Sequence, residues 1–423
     1  MKVAVIGGGS TYTPELIHGF ASKGSDLGVT EICLQDIDAS RLEIVGRFCR
    51  RLLSAKGARI GLRETDSLEE AVEGSGFVLI QIRVGGQQAR NRDILLGLKH
   101  GLIGQETTGI GGFAKALRTL PVVMNICRTV EKYAPSSWVL NFTNPSGLVT
   151  EAILAHTRVK ALGLCNIPVD VKMSIAREAG LAPERIRLDY VGLNHLSWLR
   201  RVLVDDRDIM PEIMEQILKK GIPKNIPDLD YEPRLLESLG MLPMYYLRYY
   251  YYPEKMLRLL KEKKKTRAEE VMEIEEKLLE MYRDETLCEK PDLLDQRGGA
   301  YYSLVAVDLI EALCREEGSE HVVNLANGAS TPDLPPDAVI ECTARVSSAG
   351  ARPLPVGPLD PRVKGLIQTV KAYEALTIQA SHNQDRKAAL WALVTHPLGP
   401  PGDRAFEILD ELIEINGLDA LRG

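Results

Sequence analysis

The sequence lacks an excess of basic residues and any long hydrophobic run. Its 423 residues include 52 lysines and arginines against 58 aspartates and glutamates, which gives a formal net charge of −6. With no long basic stripe, the sequence argues against nucleic acid as a partner. No apolar run approaches the ~20 residues that a membrane-spanning helix needs, so we expect no membrane partner.

Cysteines are few and do not suggest a disulfide framework. The seven cysteines are scattered and odd in number, which argues against paired bridges and for a reducing compartment. The N-terminus enters an apolar strand directly, without a signal-peptide pattern. We therefore expect a cytoplasmic protein, and the chain is long enough to bury a large core without disulfides.

Short apolar runs alternate with helical segments in the first part of the chain. The predicted strands are Val3–Ile6, Ile32–Gln35, Phe77–Ile82, Trp138–Leu140 and Val159–Leu164, with helices at 40–56 and 113–133 between them. Runs rich in Val, Ile and Leu are typical of strands buried on both faces. The alternation predicts an α/β fold with a Rossmann-type, doubly wound parallel sheet.

Polar segments follow each of these five strands. They are Gly7-Gly8-Gly9-Ser10, Asp36, Arg83-Val84-Gly85-Gly86, Asn141–Pro145 and Cys165–Pro168. In open α/β sheets, ligands bind in the crevice outside the carboxyl ends of the strands. The sequence therefore predicts a cleft for a nucleotide and a substrate at this edge.

The glycine turn indicates a dinucleotide. Glycines between a strand and a helix allow a pyrophosphate to approach backbone N–H groups. Tyr12 stands where the third glycine of the usual pattern would be, but Asp36 ends the second strand, where a carboxylate binds the ribose 2′-hydroxyl of NAD. The alternative is a purely structural turn. The predicted NAD-binding residues are Gly7, Gly8, Gly9, Ser10, Thr11, Asp36 and Arg83.

The second part of the chain has a different pattern. Probable strand segments lie near 186–205 and 337–347, charged helices near 267–287, 301–316, 361–381 and 384–395, and a proline-rich loop at 329–337. We predict two domains in a lactate/malate dehydrogenase-like arrangement. Residues 1–165 form the NAD-binding domain, and residues 166–423 form a mixed α+β domain that binds metal and substrate.

Cys165 and His195 are candidate metal ligands. A buried cysteine or an isolated histidine is more often part of the core, yet Cys165 closes a strand at the predicted cleft. Ligand softness alone favours zinc or iron. The sequence leaves the metal open at this point.

Two further segments carry candidate chemistry. Residues 244–252 contain six of the 14 tyrosines. Most must pack in the core or at a subunit contact, but one could act as a base if a metal or a charge lowered its pKa from about 10. Downstream, Thr266 and Glu269 predict a capping box at a helix that begins with Arg267. This helix start could bind a phosphate, or it could be a solvated charged face.

The ordered set of motifs resembles glycoside hydrolase family 4 over nearly the whole chain. The motifs are Gly7–Pro14, Ile82–Gly86, Gly104–Gly109, Asn141–Pro145, Cys165–Pro168, Gly192–His195, Tyr246–Tyr250, Thr266–Glu269 and His382–Pro397. Members of this family are glycosidases that depend on NAD⁺ and Mn²⁺, outside the usual two-carboxylate mechanism.

The resemblance implies roles for particular residues. Cys165 and His195 would bind Mn²⁺, Tyr246 would be the catalytic base, and Glu106 would raise the basicity of that tyrosine. Arg90, Asn144 and Arg267 would contact the substrate. The implied reaction proceeds by oxidation at C3, deprotonation at C2, elimination, addition of water and re-reduction.

The residue after the cysteine indicates the substrate. The resemblance associates Asn166 with 6-phospho-β-glucosidases, whereas members acting on 6-phospho-α-glucosides carry aspartate there as a proton donor. We therefore expect a phosphorylated disaccharide or glucoside as substrate, bound in part by Asn166. The resemblance also implies a homodimer or homotetramer. The alternatives are an α-linked or unphosphorylated substrate, a plain NAD-dependent dehydrogenase, and a non-catalytic NAD-sensing protein.

Overall fold

The computed structural model describes residues 1–24, 26–220, 231–298 and 301–422. The strands are β1 Lys2–Ile6, β2 Glu31–Gln35, β3 Gly61–Thr65, β4 Ser75–Ile80, β5 Trp138–Asn141, β6 Lys160–Gly163, β7 Ile186–Leu193, β8 Leu196–Val204, β9 Arg207–Asp208, β10 Leu242–Pro243, β11 Ser319–Ala326, β12 Val339–Ser347 and β13 Gly350–Pro353.

The helices lie between and around these strands. They are α1 Thr13–Lys23, α2 Ala39–Ala55, α3 Leu68–Val72, α4 Gly86–Lys99, α5 Gly109–Tyr133, α6 Ser146–His156, α7 Ile167–Ala179, α8 Met210–Lys220, α9 Pro233–Leu239, α10 Arg248–Tyr251, α11 Pro253–Glu262, α12 Arg267–Arg283, α13 Leu293–Arg297, α14 Tyr302–Cys314, α15 Pro361–Asn383, α16 Arg386–Thr395 and α17 Gly402–Asn416.

Six parallel strands form the centre of the larger sheet. Their order is β3-β2-β1-β4-β5-β6, the strand order of a dinucleotide-binding fold. Val3, Ala4 and Val5 of β1 have no exposed surface, as expected for a central strand covered by helices on both faces. The predicted Rossmann-type sheet is confirmed.

Three strands from far along the chain extend this sheet. The antiparallel strands β11, β12 and β13 continue it beyond β6, where Asn324 pairs with Gly163. The sheet therefore has nine strands among the described residues and draws on both halves of the chain. The sequence patterns placed the segment near 337–347 in the second domain and did not reveal that it pairs with the first; the division at residue 165 stays a prediction.

The candidate metal ligand His195 lies in a turn at the end of the smaller sheet. Strands β7, β8, β9 and β10 are antiparallel, and Leu193 pairs with Leu196 across a two-residue loop. His195 lies in this loop with a φ of 63°, a left-handed conformation that histidine adopts more readily than most residues. The hairpin turn thus sets the direction of this imidazole.

Most predicted elements lie within a few residues of their observed bounds. The third predicted strand, Phe77–Ile82, was placed too late: β4 ends at Ile80, and Gln81 already turns into the cleft, where its amide bonds Gly7 O and Thr13 Oγ1. The capping box of Thr266 and Glu269 at α12 is present. No helix in the described ranges is long and apolar enough to cross a membrane.

Candidate active site

A cleft of about 1250 Å³ runs along the carboxyl ends of the parallel strands. It brings together most of the predicted site residues, although they lie far apart in the sequence. They are Gly7, Gly9, Ser10, Asp36, Arg83, Arg90, Glu106, Asn144, Cys165, Asn166, His195, Tyr246 and Arg267. Gly8 and Thr11 lie outside the lining of the cleft.

The glycine turn is held against β2. Gly7, at a φ of +91°, and Gly8 both donate their N–H groups to the carbonyl of Gln35, at 2.9 and 2.8 Å. A Cβ on Gly8 would lie 2.7 Å from the Cβ of Leu34, so this glycine permits close packing of the turn on the strand. Gly9 N–H donates to Asp36 Oδ2 at 2.8 Å, which fixes the carboxylate at the edge of the cleft.

Tyr12 accounts for the missing third glycine. Its ring packs edge-on against Tyr302 at 5.0 Å between centroids, and the guanidinium of Arg297 lies 5.3 Å from its centroid. The tyrosine therefore builds an aromatic wall beside the turn, where the usual glycine would leave space. Thr11 is buried behind this wall, and its carbonyl accepts a hydrogen bond from Tyr282.

Cys165 and His195 form a buried pair. The Sγ atom lies 3.5 Å from Nε2, and Nδ1 of the imidazole lies 2.5 Å from Thr107 Oγ1. Burial lowers the pKa of His195 to about 4 and raises the pKa of Cys165. The imidazole is therefore neutral at physiological pH, as a metal ligand must be.

The spacing of this pair fits a shared metal ion. Thiolate and imidazole bonds of about 2.3 and 2.1 Å to one metal separate the two ligand atoms by about 3.1–3.6 Å. Because Thr107 bonds Nδ1, Nε2 is the nitrogen that faces the thiol, a typical arrangement for a metal-binding histidine. No cluster of three or more His, Cys, Asp or Glu side chains that could hold a metal occurs among the described residues. The pair would thus be a two-residue site open to further oxygen ligands, which suit Mn²⁺.

Tyr246 lies directly over this pair. Its ring stacks on the imidazole of His195 at 4.0 Å with an interplanar angle of 3°. The tyrosine sits in a short turn of 3₁₀ helix, Tyr245–Leu247, which lines the cleft. Burial raises the pKa of Tyr246, Glu106 raises it further, and Arg90 opposes both.

Glu106 is surrounded by three cations. Its Oε1 lies 2.7 Å from Arg83 and 2.5 Å from Lys115, and its Oε2 lies 3.2 Å from Arg90. Burial acts to raise the pKa of Glu106, but the three cations outweigh it and hold the pKa well below its usual range. The glutamate is therefore ionised. Its charge raises the pKa of Tyr246, and the positive charge of Arg90 opposes this increase.

Lys115 is a cleft residue that sequence reasoning missed. It lies in α5 with a side chain only 5% exposed, and burial followed by the nearby charge of Arg83 lowers its pKa to about 7. In the sequence it is one lysine in a long helical segment, with no motif around it. Only the fold shows that it points into the cleft.

Part of the cleft lining is basic. Arg267 begins α12, bonds the carbonyl of Gln296 at 2.9 Å and pairs with Glu270 at 3.1 Å. Lys263 and Lys265 also line the cleft. The predicted basic helix start is thus part of the cleft.

Comparison with known proteins agrees with this arrangement. The profile of "Family 4 glycosyl hydrolase" matches residues 2–181, and that of "Family 4 glycosyl hydrolase C-terminal domain" matches residues 190–399. The 6-phospho-beta-glucosidase BglT of Thermotoga maritima is 40% identical, over 98% of this chain and 98% of its own. The 6-phospho-beta-glucosidase of Escherichia coli is 38% identical, over 97% of this chain and 93% of its own.

Solved structures extend the similarity to three dimensions. The 6-phospho-beta glucosidase from Thermotoga maritima, solved with manganese, NAD⁺ and glucose-6-phosphate, aligns with a TM-score of 0.91 at 38% identity, over 99% of both chains. Malate dehydrogenase from Plasmodium falciparum aligns with a TM-score of 0.54 at 12% identity, over 90% of this chain and 99% of its own. The second likeness concerns the fold alone and supports the predicted dehydrogenase-like arrangement.

The two profiles together cover most of the sequence, and the relatives align over nearly their whole length. The resemblance seen in the motifs is therefore confirmed, and the chain belongs to family 4 of the glycosyl hydrolases.

Proposed function

We propose that this protein hydrolyses 6-phospho-β-glucosides, such as cellobiose 6-phosphate, with NAD⁺ and Mn²⁺ as cofactors. The observation that carries the proposal is one continuous cleft. It joins the glycine turn, the Cys165–His195 pair with Tyr246 stacked on it, and the basic start of α12. Its relatives of known name and the solved neighbour with manganese, NAD⁺ and glucose-6-phosphate support the same reaction.

The turn and the buried pair are the proposed cofactor sites. When bound, NAD⁺ supplies a hydride acceptor for C3 of the sugar, and Mn²⁺ supplies a Lewis acid for the C2 and C3 oxygens. The chain contributes Asp36 for the ribose hydroxyls and the thiolate and imidazole of Cys165 and His195 for the metal. Arg83 lines the same cleft and pairs with Glu106.

Tyr246 is the proposed base for the C2 proton. Its stacking on His195 fixes the ring beside the metal pair, which is the positioning that a proton transfer requires. Burial and then Glu106 raise the pKa of Tyr246, which makes the tyrosinate a stronger base but disfavours its formation, so the lowered pKa that a base requires would have to come from the bound cation. Arg90 limits this increase and favours the ionised form.

Substrate contacts follow from the polar groups that remain available. Nε of Arg90 is buried and has no hydrogen-bond partner among the residues that the structure describes, so we assign it as a donor to a sugar hydroxyl. Asn144 and Asn166 line the same part of the cleft, while Arg267 with its neighbouring lysines would bind the 6-phosphate. An amide at position 166 cannot donate a proton as an aspartic acid does, which favours the β-linked substrate.

We also propose a cytoplasmic location and a homodimer or homotetramer. All seven cysteines are free thiols, which is usual in a reducing compartment. The oligomer is inferred from the resemblance to the family. The same holds for the division into a cofactor domain at 1–165 and a metal- and substrate-binding domain at 166–423.

Release of nitrophenol from nitrophenyl 6-phospho-β-glucoside tests the reaction. We expect release only when NAD⁺, Mn²⁺ and a thiol reductant are all present, with no accumulation of NADH. Turnover of the α-linked or unphosphorylated analogue instead would refute the roles of Asn166 and Arg267. Stoichiometric NADH without glycoside cleavage would point to a plain dehydrogenase.

Tyr246→Phe tests the proposed base. The substitution removes one hydroxyl and leaves the ring that stacks on His195. We expect turnover to fall by about 10²–10⁴-fold, with NAD⁺ affinity unchanged in a fluorescence titration. Wild-type turnover would exclude Tyr246 as the base.

A further inference from the structure

Glu341 is a buried carboxylate without a cation beside it. It lies in β12 and is 1% exposed. Its Oε1 accepts from Asn194 Nδ2 at 2.9 Å and from Asn324 Nδ2 at 3.2 Å, and its Oε2 accepts from Ser197 Oγ at 3.3 Å. No salt bridge to Glu341 occurs among the described residues. Burying a carboxylate among neutral donors is costly unless a positive charge lies nearby.

Asn194 connects this carboxylate to the metal pair. It immediately precedes His195 in the hairpin turn, so the hydrogen bond that fixes its side chain to Glu341 also fixes the turn that carries the imidazole. Burial raises the pKa of the Cys165 thiol, and the Asn194 side chain acts to lower it. Among the described residues the amide oxygen of Asn194 is buried without a hydrogen-bond partner, so the amide acts here through its NH₂ group.

We propose that Glu341 is a positioning residue of the metal site, which acts through Asn194 and supplies a buried counter-charge for the divalent cation. This inference rests on the proposed assignment of Cys165 and His195 as metal ligands. A thiolate and a neutral imidazole leave a divalent cation with one net positive charge, which the carboxylate of Glu341 balances. The hydrogen bond to Glu341 holds Asn194 in place and, with it, the turn that presents His195 to the metal.

A purely structural role makes a different prediction. Through its donors, Glu341 also links β12 to β11 and to the β7–β8 hairpin. If that link were its only function, its loss would lower stability without a specific effect on the metal. Residues that orient a metal ligand typically change metal affinity by about 10–100-fold when they are removed.

Glu341→Gln separates the two roles. The variant keeps the side-chain volume, its oxygen can accept from Asn194 and Asn324, and its NH₂ can donate to Ser197 Oγ. Free Mn²⁺ is measured by electron paramagnetic resonance during titration of the full chain with NAD⁺ present. We expect the dissociation constant for Mn²⁺ to rise by about 10–100-fold, with NAD⁺ affinity unchanged.

A matched control removes a buried carboxylate elsewhere. Glu15 lies in α1, is 7% exposed and pairs with Lys290 and Ser303. Glu15→Gln should leave the Mn²⁺ dissociation constant within about twofold of wild type, since none of its hydrogen bonds or ion pairs with described residues involves Cys165 or His195. An equal loss in both variants would refute a specific role for Glu341.

Asn194→Ala tests the connection itself. If Glu341 acts through Asn194, this variant should weaken Mn²⁺ binding to a similar extent, and the double variant should be no weaker than the weaker single one. Additive losses would refute the series arrangement.

Cys165→Ser distinguishes failure of this inference from failure of the proposed metal site. Wild-type Mn²⁺ affinity in Cys165→Ser would refute the metal site. A strong loss in Cys165→Ser combined with wild-type affinity in Glu341→Gln would refute only the role of Glu341. Parallel losses of Mn²⁺ and NAD⁺ affinity in Glu341→Gln would assign it a structural role.

Discussion

Two buried glutamates near the Cys165–His195 pair differ in their partners and in the direction of their pKa shifts. Glu106 has three cations around it and a pKa well below its usual range. Glu341 has only neutral donors, and burial raises its pKa to about 7. The comparison shows that, at similar burial, the partners of a carboxylate decide whether its pKa is lowered or raised. The ionic cluster faces the cleft, whereas the neutral network lies behind the metal pair.

The largest effect should come from the ionic cluster. Glu106→Gln leaves Arg83, Arg90 and Lys115 buried without a counter-charge, and breaking such a cluster typically costs about 3–5 kcal/mol. We expect a lower midpoint in denaturant unfolding at pH 8. An unchanged midpoint would mean that water solvates the three cations or that Lys115 loses its proton.

Glu341→Gln should have the opposite effect on the protein without metal. The pKa of Glu341 is higher in the folded than in the unfolded state, so the wild type loses stability as the pH rises from about 4.5 to about 7. A shift of this size corresponds to about 3 kcal/mol. We expect the variant to unfold like wild type at pH 5 and to be more stable at pH 8. Equal stability of the two proteins at both pH values would contradict the raised pKa.

Ser197→Ala tests how much one neutral hydrogen-bond donor stabilises the Glu341 carboxylate. Ser197 Oγ bonds both Glu341 and the hydroxyl of Tyr190. Its loss should cost about 1–2 kcal/mol because buried polar atoms lose a partner. It should also raise the pKa of Glu341 further, which carbon NMR of labelled glutamate can follow. An unchanged titration would mean that the serine does not stabilise the charge.

The smallest effect is expected at the surface. Arg47 and Glu43 of α2 form an exposed pair at 2.5 Å, and such pairs contribute about 0.3–0.5 kcal/mol. Arg47→Ala should therefore change the unfolding midpoint barely at all. A loss as large as that of Glu106→Gln would show that burial has no bearing on the strength of these charge pairs.

The sequence predicts those parts of the site that local patterns encode. Apolar runs followed by polar residues identify the strand ends that carry Asp36 and Cys165, and the capping box identifies the start of α12. These features depend on neighbours in the chain. Local pattern also explains why Gly8 and Thr11 are among the predicted NAD-binding residues: both belong to the turn motif, although neither lines the cleft, since Gly8 packs on β2 and Thr11 is buried.

The rest depends on contacts between distant segments. Nothing around Lys115 or Glu341 in the sequence distinguishes a buried charge from an exposed one, because their partners are supplied by other elements. Periodicity detected the strand at 337–347 but not its pairing, since one antiparallel bridge between Asn324 and Gly163 decides it. Long-range pairing of this kind leaves no local signal.

The late strands of the large sheet have a consequence during synthesis. Until residue 326 has been made, β6 is the edge strand of the sheet, because its neighbour β11, which pairs with Gly163, is absent, and such edges pair readily with other chains. Incomplete chains that end before β11 should therefore aggregate more readily than the complete chain.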